Sequence, residues 1–403
     1  MDIAQKSDDL DPAMIQDFDM FNLELVHGEY QLAVKAFQKP QTPEIFWTPR
    51  NGGHWVTSRS ESVNFVLNNP EIFSSKKAYV PKEKNPAVGY APMMMDAPDH
   101  RKYRALLAPV FSPKYLQKYC EMARARCIEL AEQLEPRGEC EFISEFAQKL
   151  PIDIFISMTD LPLEDRDMLV RMGEIHVRPP SKEAHMENAR QMHDYVVNIV
   201  NQRRGGAGTD LITQLTKATV DGVPIDEEIL IGMVHLVMLG GLDTVASSLG
   251  FMALFLARSP EHRRQLIEKP ELIPHAVDEL LRRWAMSSVG RILTQDYDYK
   301  GTQMRAGDMI IVPLIFAGLD ERVHANPLDV DFSRTDVSHN AFGAGAHRCI
   351  GSMLGKQELR IFFEEFLPRI PDFAVKPGAD PRPVPGTVSG FRSLPLVWTP
   401  RAS

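Results

Sequence analysis

The chain has 403 residues, of which 44% are hydrophobic and 25% are charged, and its formal net charge is −9. This composition is typical of a soluble globular protein with a large buried core. The negative charge argues against nucleic acid as the main partner, because surfaces that bind phosphates are normally basic. The first twenty residues, MDIAQKSDDLDPAMIQDFDM, contain no apolar core of a signal peptide or membrane anchor. We therefore expect a cytoplasmic protein with no membrane partner.

Hydrophobic periodicity predicts mostly helices, with three short β segments. The first β segment, residues 46–58, reads as a hairpin around an Asn-Gly-Gly turn, and the others are 291–314 and 387–398. The predicted helices span residues 115–135, 141–160, 186–203, 226–258, 260–268, 271–284 and 349–367. No linker or repeat divides the chain. The sequence predicts one mainly α domain over residues 1–403, with small β-sheets and a short flexible segment at about residues 1–18.

The longest predicted helix begins after the candidate N-cap Asp226. From Ile229 to Leu256 it would span roughly 42 Å, which is long enough to cross a membrane. Polar residues interrupt its apolar run, among them His235 and Asp243. We therefore interpret it as a buried central helix of a soluble protein.

A lone cysteine follows a glycine-rich stretch in NAFGAGAHRCIG, residues 340–351, just before an amphipathic helical pattern. A helix N-terminus favours a thiolate, and small residues let the backbone approach a large flat group. Two other interpretations remain open: a structural cysteine in a turn, and a zinc site built from His339, His347 and Cys349. The remaining cysteines, Cys120, Cys127 and Cys140, have no spacing typical of a metal site.

The pattern Phe342-Gly343-x-Gly345-x-His347-x-Cys349-x-Gly351 resembles the haem-binding loop of the cytochrome P450 superfamily, the haem-thiolate monooxygenases. The resemblance implies a helical cytochrome P450-like fold with a long central helix and small antiparallel sheets. It implies haem b as the cofactor and Cys349 as its iron ligand, with Gly351 also at the haem. A thiolate ligand pushes electron density towards the iron and favours cleavage of the O–O bond.

Two further motifs fall in the order that this superfamily requires. Glu279 and Arg282, with Arg334 in DFSR, are similar to its structural Glu–Arg–Arg network. In GGLDT, residues 240–244, the glycines are costly inside a helix, so they need a reason. Either they form a kink that allows tight packing or, as the resemblance implies, they leave room for dioxygen above the haem. The resemblance then implies that Asp243 and Thr244 are catalytic, with Asp243 relaying protons and Thr244 holding the bound oxygen and ordered water.

A basic segment, HRKYR at residues 100–104, supplies the expected partners of the haem propionates. The resemblance implies that His100 and Arg104 bind the propionates together with Arg291 and His347. The basic residues Arg101, Lys102, Arg104 and Arg348 would form a docking face for an acidic electron donor.

The resemblance runs along almost the whole chain and is closest to the bacterial camphor 5-monooxygenase family, whose electrons come from a two-iron two-sulfur ferredoxin and its reductase. Three positions depart from that family's pattern. Aligned without gaps, Val88 stands where the family's tyrosine holds the ketone of camphor. Val289 replaces an aspartate beside the propionate-binding arginine, and Ser287 replaces a valine above the haem. These departures favour a substrate other than camphor.

We therefore predict a monooxygenase that uses O₂ to hydroxylate a small apolar terpenoid, with a norisoprenoid ketone such as an ionone favoured over camphor. The alternatives are a camphor or other bicyclic terpenoid hydroxylase, a non-catalytic haem sensor, and a zinc hydrolase. A pocket with adaptable methionines recognises its substrate by shape and apolar contact. The predicted pocket residues are Tyr79, Val88, Tyr90, Met93, Leu236, Leu239, Gly240, Ser287, Thr387 and Val388.

Overall fold

The computed structural model describes residues 10–25, 29–76 and 89–401. The predicted pocket residues Tyr79 and Val88 lie outside these described residues. The chain divides into two compact units. The first unit comprises Met1–Arg101, Asp278–Cys349 and Pro385–Thr387, and the second comprises Lys102–Val277, Ile350–Val384 and Val388–Ser403. The single domain over residues 1–403 stays a prediction.

Helices dominate the described residues, as the periodicity predicts. They are, in chain order, α1 (Tyr30–Lys35), α2 (Ser60–Asn68), α3 (Asp99–Leu107), α4 (Pro113–Leu134), α5 (Lys149–Thr159), α6 (Arg166–Val177), α7 (Lys182–Arg203), α8 (Leu211–Lys217), α9 (Glu227–Leu242), α10 (Thr244–Arg258), α11 (Pro260–Glu268), α12 (Ile273–Arg283), α13 (Ile315–Gly318) and α14 (Ser352–Arg369). A π-helical turn, Ile143–Ala147, comes just before α5.

The strands are short. They are β1 (Ile45–Thr48), β2 (His54–Thr57), β3 (Phe73–Ser74), β4 (Glu139–Glu141), β5 (Thr219–Val220), β6 (Val223–Pro224), β7 (Ser288–Leu293), β8 (Tyr297–Tyr299), β9 (Thr302–Met304), β10 (Met309–Pro313), β11 (Ala374–Val375), β12 (Pro383–Val384), β13 (Gly390–Phe391) and β14 (Pro395–Val397). The predicted hairpin at 46–58 is confirmed, because β1 pairs antiparallel with β2 and places Trp47 opposite Trp55. Within the predicted third β segment, Gly390 begins β13.

The first unit is built on a five-stranded sheet with the strand order β1-β2-β10-β7-β3. Its buried core continues from the sheet to helices α1, α2 and α13 through apolar side chains such as Val34, Val66 and Phe316. The flexible segment expected at about residues 1–18 stays a prediction, and the structure describes only its part from residue 10. From residue 10 onwards it lies against this sheet, because Phe18 is fully buried and the Gln16 N–H donates to the Trp47 carbonyl at 2.8 Å.

The second unit is mainly helical, with a core of stacked and edge-on phenylalanine rings. Phe146 of the π-helical turn and Phe366 of α14 have ring centroids 4.9 Å apart. The three-stranded sheet β11-β14-β4 and the pair β12-β13 complete this unit, together with the hairpin β5-β6. Such aromatic pairs contribute about 0.5–1.5 kcal/mol beyond the area that they bury.

The long central helix is present but is interrupted at one residue. Asp243 has φ −135° and ψ −31°, so α9 ends at Leu242 and α10 begins at Thr244. Together they form the stretch Glu227–Arg258, which by length and composition could cross a membrane, and 56% of its most apolar window is buried inside the protein. Because the core helix of a soluble protein meets the same criteria, this stretch is weak support for a membrane span.

Candidate functional site

The loop before Cys349 is closed by its own backbone. The Cys349 N–H donates to the Phe342 carbonyl at 2.8 Å, and the Gly343 N–H donates to the Asn340 carbonyl at 2.7 Å. Gly345 has φ +65°, and a Cβ there would lie 2.6 Å from the Leu67 carbonyl oxygen, so both conformation and packing require glycine. Cys349 is exposed, and α14 begins only at Ser352 rather than at the predicted residue 349. The short turn between them leaves the thiol on a loop that rests on α2.

The histidines of this loop do not form a zinc site with Cys349. His339 lies 3.2 Å from Asp278 through Nε2 and accepts the Ala341 N–H at 3.1 Å through Nδ1, so both ring nitrogens are engaged. Among residues 10–25, 29–76 and 89–401, no group of three or more His, Cys, Asp or Glu side chains could hold a metal ion. The zinc alternative is therefore not supported.

Three of the predicted propionate partners, His100, Arg291 and His347, belong to the first unit. The rings of His100 and His347 have centroids 4.0 Å apart. Arg291 is buried on β7, and its Nη1 donates to the Gly290 carbonyl at 2.7 Å. Burial lowers the pKa of Arg291 to about 10, with a smaller opposite effect from the charge of Asp96. A buried guanidinium is costly unless an anion compensates its charge.

The chemical groups found here are those that haem requires: open space beside the backbone, a cation and a sulfur ligand. Gly343 has φ +69°, and a Cβ at this position would meet no atom within 4 Å, so a flat group can approach the loop backbone there. The buried cation Arg291 needs an anion such as a propionate, and Cys349 offers an exposed sulfur. Arg104, half-buried on α3, and Gly351, the N-cap of α14, belong to the second unit.

Glu279, Arg282 and Arg334 are joined by hydrogen bonds within the first unit. Arg282 donates to both carboxylate oxygens of Glu279, at 2.7 and 2.9 Å, and Arg334 Nε donates to the same carboxylate at 3.2 Å. Burial acts to raise the pKa of Glu279, but hydrogen bonds and charge from Arg282 outweigh it, so that the pKa is lowered. Arg282 also donates to the carbonyls of Gly318, Pro327 and Asp329. The network thus ties α12 to the chain around α13.

In the second unit, Asp243 is buried in a clamp that sequence reasoning did not find. Arg178, the residue after α6, donates to both of its carboxylate oxygens, at 2.9 and 2.5 Å. The Ser247 hydroxyl donates to Asp243 Oδ2 at 2.8 Å. A buried carboxylate in an apolar helix predicts some partner, but 65 residues separate Arg178 from Asp243, and no periodicity links them.

Thr244 opens α10 directly after Asp243. Its hydroxyl donates to the Gly240 carbonyl at 3.1 Å. Gly240 and Gly241, in the last turn of α9, differ in whether packing requires glycine. A Cβ on Gly241 would lie 2.5 Å from the Phe155 ring, whereas a Cβ on Gly240 would meet nothing within 4 Å. Gly240 is therefore not required by packing within the second unit, which is consistent with room kept for a ligand.

The predicted pocket residues that the structure describes fall in both units. Tyr90, Met93, Ser287 and Thr387 belong to the first, and Leu236, Leu239, Gly240 and Val388 to the second. Met93 is 41% exposed and Val388 is buried. A separate apolar cavity of about 10 Å³ lies in the second unit, between residues such as Phe155, Leu211 and Met238. None of the predicted pocket residues lines that cavity.

Comparison with known proteins identifies the family. The family model described as cytochrome P450 matches residues 165–396 of the chain. A probable cytochrome P450 127A1 from Sinorhizobium fredii is 30% identical over 97% of this chain and 96% of its own length. A steroid C26-monooxygenase from Mycolicibacterium smegmatis is 29% identical over 94% of this chain and 97% of its own length.

Solved structures agree with this assignment. The crystal structure of CYP101J2 superposes with a TM-score of 0.89 at 30% identity and covers 98% of this chain and 100% of its own. The crystal structure of CYP101C1 gives a TM-score of 0.87 at 33% identity and covers 98% of this chain and 99% of its own. The predicted helical fold and the resemblance to the camphor-like P450 family are thereby confirmed.

Proteins of this family bind haem b through a cysteine thiolate, and their fold implies O₂, a redox partner and a small substrate. The named relatives also include monooxygenases, which confirms the predicted enzyme class. The chain therefore belongs to the cytochrome P450 family and is a haem b-dependent monooxygenase.

Proposed function

We propose that this enzyme hydroxylates a small apolar terpenoid-like molecule, and that a norisoprenoid ketone such as an ionone is preferred over camphor. Its electrons come from a two-iron two-sulfur ferredoxin and its reductase, and it acts in the cytoplasm. The observation that carries the proposed turnover is the pairing of a clamped carboxylate, Asp243, with the adjacent hydroxyl of Thr244 at the break between α9 and α10.

The cofactor is held by residues from the motifs described above. Cys349 supplies the iron ligand, and Gly351 leaves space beside it. His100, Arg104, Arg291 and His347 neutralise the propionates, which offsets the cost of keeping Arg291 buried. When bound, the haem activates O₂ for insertion of one oxygen atom into a C–H bond.

We assign Asp243 to proton relay and Thr244 to the binding of oxygen and water beside the cofactor. Because the Thr244 hydroxyl donates its proton to the Gly240 carbonyl, its oxygen lone pairs remain able to accept a hydrogen bond. The carboxylate of Asp243 lies one residue away, and we assign it to the relay of protons from the surface. A passive haem sensor has no need for such an acid–alcohol pair, which favours turnover over simple binding.

The substrate class is inferred from the character of the predicted pocket. Its described members include Leu236, Leu239 and Val388, and none of the predicted residues is charged. A mainly apolar site with valine at position 88, in place of the tyrosine of the camphor family, selects its substrate largely by shape. Relatives named steroid C26-monooxygenase and methyl-branched lipid omega-hydroxylase are consistent with an apolar substrate.

The electron donor is expected to be acidic. Arg101 and Arg348 are exposed, so they place positive charge on the surface of a protein whose net charge is −9. Such charge attracts an acidic partner. Lys102 contributes less than the sequence suggests, because its Nζ is paired with Asp221 Oδ2 at 2.5 Å. Arg104 is only half-exposed.

A substrate screen tests the proposal. Purified haem-loaded enzyme is titrated with an ionone, camphor, a 3-ketosteroid and a methyl-branched fatty acid, and the spin-state shift of the Soret band is recorded. Products are then identified after turnover with a ferredoxin, its reductase and NADH. We expect the tightest binding and a hydroxylated product with the ionone. Preference for the steroid or the fatty acid would contradict the terpenoid proposal, and binding without any product would favour the sensor.

A variant provides a second arm of the same screen. Val88→Tyr restores the hydroxyl that the camphor family uses, so it should strengthen camphor binding relative to the wild type while leaving haem content unchanged. If camphor binds the variant no better, the ungapped alignment at position 88 is wrong.

A further inference from the structure

The hairpin between α8 and α9 places a carboxylate against α3. Lys102 of α3 precedes Asp221 by 119 residues, yet its Nζ donates to Asp221 Oδ2 at 2.5 Å. The two side chains are partly exposed, Lys102 by 42% and Asp221 by 70%, and both residues belong to the second unit. The ion pair thus connects the tip of the hairpin β5-β6 to the helix that carries three of the predicted docking residues.

The local sequence sets the position of this carboxylate. Val220 of β5 pairs with Val223 of β6, so Asp221 and Gly222 form a loop between the strands. Both loop residues have positive φ, +53° and +81°, which is the conformation of a tight hairpin turn that favours Asp-Gly. Because the turn contains no additional residue, the hairpin itself determines where the Asp221 side chain is presented.

The ion pair contributes little to the stability of the fold. The tip residues from Asp221 to Pro224 are all exposed, and a Cβ on Gly222 would meet no atom within 4 Å. Exposed ion pairs are worth little, because water solvates both charges and two long side chains must be ordered. The contact between Lys102 and Asp221 can therefore open at small cost.

The pair changes the charge that α3 presents to a partner. Arg101, Lys102 and Arg104 lie on this helix, and Asp221 compensates the charge of one of them. Exposed charges act on each other over about 10 Å at 0.1 M salt, so Asp221 lowers the positive potential around Lys102. A carboxylate of an acidic donor that reaches Lys102 meets a second carboxylate at the same ammonium group, and the two repel each other.

We propose that Asp221 competes with the electron donor for Lys102. Its carboxylate holds the ammonium group in the free enzyme and leaves when a carboxylate of the donor takes its place. A donor with few acidic groups gains too little from docking to displace Asp221, so the hairpin selects strongly acidic donors. This inference rests on the proposed docking of an acidic ferredoxin at α3 and adds a residue that limits that docking.

Electron transfer under carbon monoxide tests the competition. Haem-loaded full-length enzyme, saturated with the tightest-binding compound of the substrate screen, is mixed with a reduced acidic two-iron two-sulfur ferredoxin in a stopped-flow instrument. The ferredoxin concentration is kept low, so that association limits formation of the reduced carbon monoxide complex. Asp221→Asn should react about three- to fivefold faster than the wild type at low salt, and at about 0.5 M salt the two rates should converge. An unchanged or slower rate at low salt would overturn the proposal.

Two controls separate the contact from other effects of the substitution. Asp194→Asn removes an equally charged, exposed side chain from an ion pair on α7, and it should keep the wild-type rate. Reduction by dithionite needs no docking and should be the same in all variants. If Asp194→Asn accelerates the ferredoxin reaction as much as Asp221→Asn, net charge rather than the contact with Lys102 explains the effect, and the competition is wrong.

A second substitution asks whether Asp221 acts through Lys102. In Lys102→Gln the ammonium group is absent, so Asp221→Asn should accelerate reduction much less in this background than in the wild type. An equal acceleration in both backgrounds would mean that Asp221 repels the donor directly, which contradicts competition for Lys102.

The single variants Arg101→Gln and Lys102→Gln distinguish this inference from the function on which it rests. Both should slow reduction by the ferredoxin if the donor docks at α3. If neither does, the proposed docking itself is wrong. If both slow reduction while Asp221→Asn does not accelerate it, only the role of Asp221 fails.

Discussion

Arg282 lies one helical turn after Glu279 on α12 and donates to both of its carboxylate oxygens, and both side chains are completely buried. A buried pair of this kind contributes little net stability over an apolar pair, but losing one partner leaves an uncompensated charge. Its value lies in the geometry that it fixes. Through Arg282 and Arg334 the pair connects α12 to the carbonyls of residues 318–329 in the same unit.

Arg282→Met should therefore destabilise the protein strongly. We expect the free energy of unfolding to fall by about 3–5 kcal/mol, because Glu279 is left buried without its cation. Urea denaturation followed by circular dichroism measures this change. The control is Arg190→Met, whose ion pair with Glu187 is exposed and should cost no more than about 1 kcal/mol. Equal midpoints for the two variants would show that the buried charge is compensated in another way.

Replacing Thr244 should uncouple NADH consumption from product formation. Thr244→Ala keeps α10 but removes the hydroxyl beside Asp243, so we expect NADH consumption to continue while hydrogen peroxide replaces most of the product. Thr244→Ser retains the hydroxyl and should stay close to wild-type coupling. The effect is measured as the amounts of hydrogen peroxide and of product formed per NADH consumed. Unchanged coupling in Thr244→Ala would contradict the role that we propose for this side chain.

The identity of the iron ligand can be read from a spectrum. With carbon monoxide, the reduced wild-type enzyme should show the strongly red-displaced Soret band of a thiolate ligand, and Cys349→Ser should lose it. Cys120→Ser is the control, since burial, with neighbouring acidic charge, raises the pKa of the Cys120 thiol and disfavours its thiolate form. Retention of the displaced band in Cys349→Ser, or its loss in Cys120→Ser, would assign the ligand elsewhere.

The second unit should lose stability in mild acid. Burial lowers the pKa of His176, on α6, and of His235, on α9, each to about 4, and the charges of the neighbouring residues His185 and His193 contribute. The unfolded chain binds these protons near pH 6.5, so stability is complete above that pH and declines as the pH falls towards 4.

Each of these two histidines accounts for up to about 3 kcal/mol of that decline. His176→Phe should therefore flatten the dependence of the unfolding midpoint on pH between 6.5 and 4, whereas His275→Phe on α12 serves as the control. If the wild type and His176→Phe show the same slope, the pKa of His176 is not lowered in the folded state.

Local patterns predicted much of the architecture. The Asn-Gly-Gly turn indicated the β1–β2 hairpin, and apolar spacing located α4, α7 and α11 closely. Short elements such as α1 and α13 escaped prediction, because four to six residues carry too little periodicity to distinguish a helix from a loop. The break at Asp243 also escaped prediction. An apolar run of this length favours one continuous helix, and the partners that stabilise the break lie elsewhere in the chain.

The sequence by itself determined the family and the cofactor, and it suggested the acid–alcohol pair that we propose for the reaction, because the cysteine loop and that pair each consist of a few adjacent residues. Only the tertiary structure decided how Asp243 is held. Arg178 comes from a separate segment, and a hydrogen bond between it and Asp243 depends on distances in space that no local pattern of side chains encodes.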